Sequence, residues 1–236
     1  MGRVFEKRKH KMFARYAKMS RAFTRIGKEI AIAVKMGGGP DPDSNSRLRV
    51  TLAKAKAINM PKHNLDAAIK RAVSKEDGDF EEVLYEAKGP HSIGIMIETA
   101  TNNPTRTVAN LRSYFNKKGG ALGVKGSMEF LFEHKGEYKI DKTGIDIDEF
   151  ELAMIDHGAE EINVDDEAIY ISTSFEDYGR MQKALEDKGC TILNAELTRE
   201  PTSPVELSEE QEAELNILLD LIEDDDDVTA VYTTLA

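Results

Sequence analysis

The sequence predicts an α+β multidomain protein: an N-terminal basic helical bundle plus two α/β domains of ferredoxin-like character, one inserted in the other. Three observations carry this expectation. Charge is split along the chain: residues 1–75 hold 19 of the 32 Lys and Arg but 5 of the 43 Asp and Glu, a net of +14 against −25 for the rest. Apolar residues recur at helical spacing before residue 75 and in alternating, strand-like runs after it. Elements between residues 137 and 198 follow the order β-α-β-β-α-β, the split ferredoxin-like pattern. The predicted partition is residues 1–78 for the helical domain, 79–134 with 200–236 for a discontinuous α/β domain, and 135–199 for the inserted one.

In the head, Phe23, Ile26, Ile30 and Val34 lie at spacings of three and four, which predicts an amphipathic helix over 21–35. The run Gly37-Gly38-Gly39-Pro40-Asp41-Pro42-Asp43 stops it. A second helix is expected from Asn45 or Ser46 to Ile58, burying Leu48, Leu52 and Ala55. A third starts at Pro61 and buries Leu65, Ala68, Ile69 and Ala72. Before residue 21, Lys7, Arg8, Lys9, Lys11 and Arg15 alternate with Phe5, Met12, Phe13 and Tyr16. Those aromatics suit either stacking on unpaired bases or docking of this segment on the bundle.

In the body, residues 92–100 predict a strand, 103–118 a helix and 127–133 a strand, together a β-α-β unit. The second series has strands at 137–140, 160–164, 168–172 and 191–198, with helices at 146–157 and 175–188. A last helix at 208–223 opens on a capping box, Ser208 with Gln211, and a final strand follows at 228–233. This last pair is expected to complete the first unit. The acidic run Glu223-Asp224-Asp225-Asp226-Asp227 between them suggests a solvated turn.

Composition excludes several function classes. With 40% hydrophobic and 32% charged residues the chain fits a soluble globular protein, and no apolar run approaches the roughly 20 residues of a membrane span. No apolar core follows the basic N-terminus, and Glu6 stands where a myristoylation motif expects Ser or Thr, so a cytoplasmic location is expected. Cys190 is the one cysteine, which excludes a disulfide framework, and the five histidines lack metal-ligand spacing. The loop Gly119-Gly120-Ala121-Leu122-Gly123-Val124-Lys125-Gly126-Ser127 fails as a phosphate loop because its lysine precedes the final glycine and a strand is expected after it. No catalytic set assembles by role, so no enzyme, cofactor or metal is expected. The segment from Thr99 to Thr107 fits two roles, helix capping or contact with an anion or partner, with Thr101, Asn103 and Arg106 as the candidate groups.

Several of these segments carry a resemblance. Gly37 to Asp43, Asn45-Ser46-Arg47-Leu48-Arg49, Asn59-Met60-Pro61-Lys62, Tyr85-Glu86-Ala87-Lys88-Gly89-Pro90, the Asn103 to Thr107 stretch and Lys118 to Gly123 with Gly126-Ser127 resemble, in order, the signature of the YebC/PmpR family. The match runs over nearly the whole chain. It implies three domains, one helical and two α/β, and neither catalysis nor a cofactor. The family is usually named for DNA-binding transcriptional regulators, and it includes the mitochondrial translational activator of cytochrome c oxidase and bacterial relatives linked to the ribosome. The chain departs from the family pattern at Gly2-Arg3-Val4-Phe5, where many members have Gly-His-Ser-Lys-Trp, and at Asn102 and Thr105, where many have Asp and Asn.

The expected function is therefore that of a non-enzymatic, nucleic-acid-binding regulator of gene expression, with promoter DNA as first target and ribosomal RNA on the ribosome as the alternative. A protein-interaction adaptor is the reading from another class. The expected phosphate contacts are Lys7, Arg8, Lys9, Lys11, Arg15, Arg21, Arg25, Arg47, Arg49, Lys62, Lys70 and Arg71.

Overall fold

The computed structural model describes the backbone of residues 3–74 and 79–236, and side chains from residue 19 onward within those ranges. Helix α1 spans Arg3–Met36, so it starts eighteen residues before the predicted helix at Arg21. No Gly or Pro occurs between Arg3 and Ile26 to stop it. Helices α2 (Ser46–Ala57) and α3 (Lys62–Ser74) each pack on α1. Their shared core joins Ile26, Ile30, Ala33 and Val34 to Leu48, Ala55, Met60 and Ala68, with Leu65 and Ile69 at its edge, much as the apolar spacing predicts.

One buried amide organises the turn between α1 and α2. Asn45 is 1% exposed, and its Oδ1 accepts from Leu48 N at 2.9 Å, capping α2. Its Nδ2 donates to Ala33 O at 2.8 Å, in the last turns of α1, and to Gly39 O at 2.7 Å. The glycines follow from this: Gly37 has no room for a side chain against the Asn45 amide, and Gly38 and Gly39 have φ of +93° and +127°. Arg49 fixes the same turn from outside, donating to Pro42 O at 2.9 Å and Asp43 O at 3.1 Å.

The first sheet of the body has order β3-β1-β2-β8, all neighbours antiparallel, built from β1 (Glu81–Lys88), β2 (Gly94–Thr101), β3 (Ala121–Leu122) and β8 (Val228–Thr233). Helices α4 (Pro104–Lys118) and α7 (Glu209–Glu223) share one core with it, joining Ile93, Ile95 and Ile97 to Leu111, Phe115, Leu215, Leu218 and Ile222. The capping box at Ser208 forms as predicted, and the chain's last helix and strand do complete this sheet.

Two strand expectations need correction. Strand β1 was not among the expected strands, although Val83, Tyr85 and Ala87 alternate with Glu82, Glu86 and Lys88; Leu84 is the one apolar residue out of phase, and Glu86 on the polar face is nonetheless 5% exposed. The expected strand over 127–133 is instead a turn and a 3-10 segment, Glu129–Leu131. The partner that follows α4 is the two-residue β3, and Phe132 opens a strand of the other sheet.

That second sheet contains β4 (Phe132–Asp141), β5 (Ala159–Val164), β6 (Ala168–Ser174) and β7 (Ile192–Pro201). Its order, β5-β6-β4-β7, is that of the ferredoxin-like pattern, with α5 (Ile147–Ile155) and α6 (Tyr178–Asp187) in one core with it around Tyr138, Ile140, Phe150, Met154, Ile169 and Met181. Gly136 looks like a break before a strand at 137, yet it is paired within β4, where the Tyr178 ring fills the space of its absent side chain. The ladder between β4 and β7 begins at Phe132↔Pro201, so the chain leaves and re-enters the first unit on adjacent strands.

Replacing Asn45 by Ala removes a cap and leaves Ala33 O and Gly39 O without its amide. It is expected to cost roughly 1–3 kcal/mol in urea unfolding of the full chain; a midpoint equal to that of the parent would contradict the assigned role.

Candidate nucleic-acid interface

The cations of the head fall into two groups. One runs along α1 as Arg21, Arg25 and Lys28, at i, i+4 and i+7 on a single face. This stripe meets the end of α7 and the acidic run after it. Arg21 pairs with Asp224, and Arg25 donates to Glu223 O. Lys28 Nζ reaches Asp226 O and Asp227 Oδ1, each at 2.7 Å. The last carbonyls of α7 are the negative end of that helix and lack intrahelical donors, which is where cations are favoured.

The acidic run is therefore not a solvated turn. Asp225 and Asp227 are 8% and 3% exposed. Asp225 accepts from Asn110 at 3.0 Å and from Tyr114 at 2.9 Å; burial and this hydrogen bond push the Tyr114 hydroxyl up to about 12. Asp227 is the centre of the arrangement. Besides Lys28 on Oδ1, its Oδ2 lies 2.7 Å from Arg106 Nη2, 2.8 Å from Thr107 Oγ1 and 3.1 Å from Thr101 Oγ1. Burial alone would raise its pKa, but the hydrogen bonds from Lys28, Arg106 and Thr107 outweigh that and hold the carboxyl at about 2.

Of the two roles suggested for the segment from Thr99 to Thr107, capping is found, and its other polar groups turn inward to the chain itself. Asn103 caps α4, accepting from Arg106 N at 3.1 Å, with Pro104 in the first turn. The anion faced by Thr101 and Arg106 is the chain's own Asp227, and Thr101 is fully buried. At the departure from the family pattern, Asn102 Oδ1 accepts from Arg106 Nη2 at 3.3 Å, so an amide now flanks this guanidinium.

Two further candidate cations contact the body. Arg47 pairs with Glu82 of β1. Arg49, besides holding the 42–43 turn, lies 3.8 Å from Glu186 of α6. Lys35, which was not among the candidates, pairs with Asp79 at 2.7 Å.

The second group of cations lies on α3 and the end of α2. Lys62, Lys70 and Arg71 are exposed, off the stripe of buried Ala68 and half-buried Leu65 and Ile69. Lys56, which was not among the candidate contacts, is exposed in the last turn of α2. Lys56, Lys62 and Lys70 form no ion pair among the described residues, and Arg71 Nε donates to Ala67 O at 3.4 Å. The candidates Lys7, Arg8, Lys9, Lys11 and Arg15 belong to α1, but their side chains lie outside the described residues. Among the described residues no helix is long and apolar enough to cross a membrane, and no group of three or more His, Cys, Asp or Glu is placed to hold a metal ion.

Comparison with known proteins places this arrangement. A family model described as the TACO1/YebC protein N-terminal domain matches residues 3–75, and one described as the TACO1/YebC second and third domain matches residues 80–235. The chain belongs to the TACO1/YebC family. A relative from Cytophaga hutchinsonii, named "Probable transcriptional regulatory protein", is 53% identical over 236 residues, covering 100% of this chain and 99% of its own. One of the same name from Flavobacterium johnsoniae is 49% identical over 235 residues, covering 100% and 99%. The crystal structure of a conserved hypothetical protein from Aquifex aeolicus superposes with a TM-score of 0.76 at 34% identity, over 92% of this chain and 90% of that one. In this TACO1/YebC-family chain the family segment from Asn103 to Thr107 holds an internal carboxylate at the junction of head and body.

Asp227→Asn is expected to destabilise the chain at neutral pH by roughly 3–5 kcal/mol, because Lys28 would stay buried without its counter-charge. The pH dependence has a definite sign. The folded-state pKa is depressed, so the carboxylate stabilises the native state above the ordinary Asp value of about 3.9. That contribution is lost as pH falls toward 2. Denaturant midpoints should therefore fall more steeply between about pH 4 and 2 for the parent than for Asp227→Asn; parallel curves would contradict the role given to this group.

Proposed function

We propose that this chain is a non-enzymatic, nucleic-acid-binding regulator of gene expression that contacts phosphates through α3 and the end of α2. The observation that carries the reading is the division of the head's cations. Arg21, Arg25 and Lys28 contact the body, whereas Lys56, Lys62 and Lys70 remain exposed and unpaired among the described residues. Exposed cations on one face of a molecule with net charge −11 favour approach of a polyanion by that face.

The names of the relatives support transcription as the process, and DNA is the first target on that reading. A second reading, structured RNA on the ribosome, draws on a different observation. Helices α2 and α3 lie against α1, with little contact between each other, although a turn of four residues joins them. Such a pair is not braced as the helix-turn-helix units that enter a major groove are, whereas structured RNA is read by shape and backbone.

Lys62→Glu with Lys70→Glu is expected to weaken nucleic-acid binding at least tenfold and to flatten its log–log salt dependence by about one unit per lost phosphate contact. Arg49→Glu, aimed at the 42–43 turn, should instead lower stability. Unchanged affinity and slope in the double variant would refute the α3 assignment. Ultraviolet crosslinking in cells, with DNA and RNA fragments sequenced together, separates the targets. Promoter fragments support transcription, ribosomal RNA fragments support translation, and enrichment of neither refutes the reading.

A further inference from the structure

The body has a second surface that the head does not explain. It carries a net −25 overall, yet between Lys88 and Lys125 it holds six Lys and Arg and one acid, Glu98. Arg106 of these faces Asp227. Lys88, Arg112, Lys117, Lys118 and Lys125 are exposed, and none forms an ion pair among the described residues. The stretch ends in the glycine-rich loop that resembles the family signature but fails as a phosphate loop.

That loop is held rigidly from below. Glu86, buried in β1, accepts from Gly126 N at 2.5 Å and Met128 N at 2.6 Å, with Ser127 Oγ at 3.4 Å. Its own carbonyl accepts from Gly123 N at 2.7 Å. Burial would raise the Glu86 pKa, but these donors bring it below the ordinary value, so the loop is fixed by a full charge. Val124 and Phe130, on either side of the held amides, are 77% and 72% exposed, the highest values among the large apolar residues described.

We propose that residues 117–130 form a contact for single-stranded nucleic acid, in which Phe130 stacks on a base while Lys117, Lys118 and Lys125 pair with phosphates. An exposed aromatic five residues from Lys125, on a loop that follows directly from the Lys117-Lys118 end of α4, has the composition of a stacking platform, and a preformed loop avoids the entropy of ordering on binding. The lysines decide against an apolar protein partner, because a surface evolved for one has no use for unpaired cations in an acidic body. A duplex is also a poor fit, since its stacked bases offer Phe130 no free face. This contact is additional to the α3 face and does not rest on it.

The test uses the full-length chain and fluorescein-labelled 12-nucleotide oligouridylate and oligothymidylate, with anisotropy read over a range of KCl concentrations. Phe130→Ala is expected to weaken binding by about 5- to 150-fold, the range of one lost stacking contact. Phe130→Leu should lose nearly as much, because it keeps apolar bulk without a ring. The triple change Lys117→Glu, Lys118→Glu and Lys125→Glu is expected to flatten the log–log salt slope by about 2, at about 0.7 per phosphate on a single strand. Phe130 is exposed, so the Phe130 variants should melt like the parent; the triple variant loses two cations from the last turn of α4 and should melt slightly lower, so its binding is read well below that midpoint. Parental affinity with Phe130→Ala, or a parental slope with the triple variant, overturns the proposal. The Lys62→Glu, Lys70→Glu variant run alongside separates the two surfaces: binding lost there but retained with Phe130→Ala keeps the head reading and ends this one. Capture of a protein whose binding needs Phe130 but not the lysines also overturns it.

Discussion

The rest of the structure depends on one buried carboxylate. Asp227 sits where three segments distant in sequence converge: α1 through Lys28, the entry to α4 through Thr101, Arg106 and Thr107, and the strand β8 that follows it directly. A lone carboxylate at this depth would be too costly to ionise. With two cations and two hydroxyls around it, the charged form is favoured and the depressed pKa follows. Neighbouring contacts extend the joint, because Asp225 fixes α4 through Asn110 and Tyr114 while α1 caps the end of α7. Head and body are thereby held by buried polar groups that need one geometry to be satisfied, which is a more specific constraint than an apolar patch.

This joint changes the meaning of the charge split. A net of +14 over residues 1–75 suggests a uniformly basic grip, but part of that charge neutralises the body's own acids. Arg21 and Arg47 pair with Asp224 and Glu82, both partly exposed, and such pairs contribute little to stability. Lys28 with Asp227 is buried on both sides, at 11% and 4% side-chain exposure, and belongs to another energetic class. The cations of the head left over are on α3 and the end of α2, and this smaller set is the part of the head proposed to meet a polyanion.

Much of this was legible in the sequence where the signal is local. The three-and-four spacing of Ile26, Ile30 and Val34, the Ser208 to Gln211 capping box and the ferredoxin-like order after residue 135 each depend on neighbours in the chain, and each is found. The misses come from long-range partners. The burial of Glu86 in β1 was not legible because the amides that satisfy it are some forty residues away, at Gly126 and Met128. The run from Glu223 to Asp227 looks solvated because nothing nearby reveals Lys28 and Arg106, which are 199 and 121 residues distant. The candidate set shows the same limit. Lys62 and Lys70 share the outer face of a short helix and are exposed as the periodicity implies, whereas Arg21 and Arg25 differ from them only through a partner that periodicity does not contain. One sign was present: Arg21, Arg25 and Lys28 at i, i+4 and i+7 form a straight stripe of the kind that docks on another surface.

The most direct test of this division is residue-level mapping of protein–nucleic acid crosslinks by mass spectrometry on the full-length chain isolated from irradiated cells. The account predicts nucleotide adducts on peptides covering residues 56–71 and none on the Arg21 to Lys28 stripe, which faces the acidic end of α7. Adducts concentrated on that stripe, with none on α3, would show that nucleic acid displaces the body from the head, and would contradict the assignment of those cations to the joint.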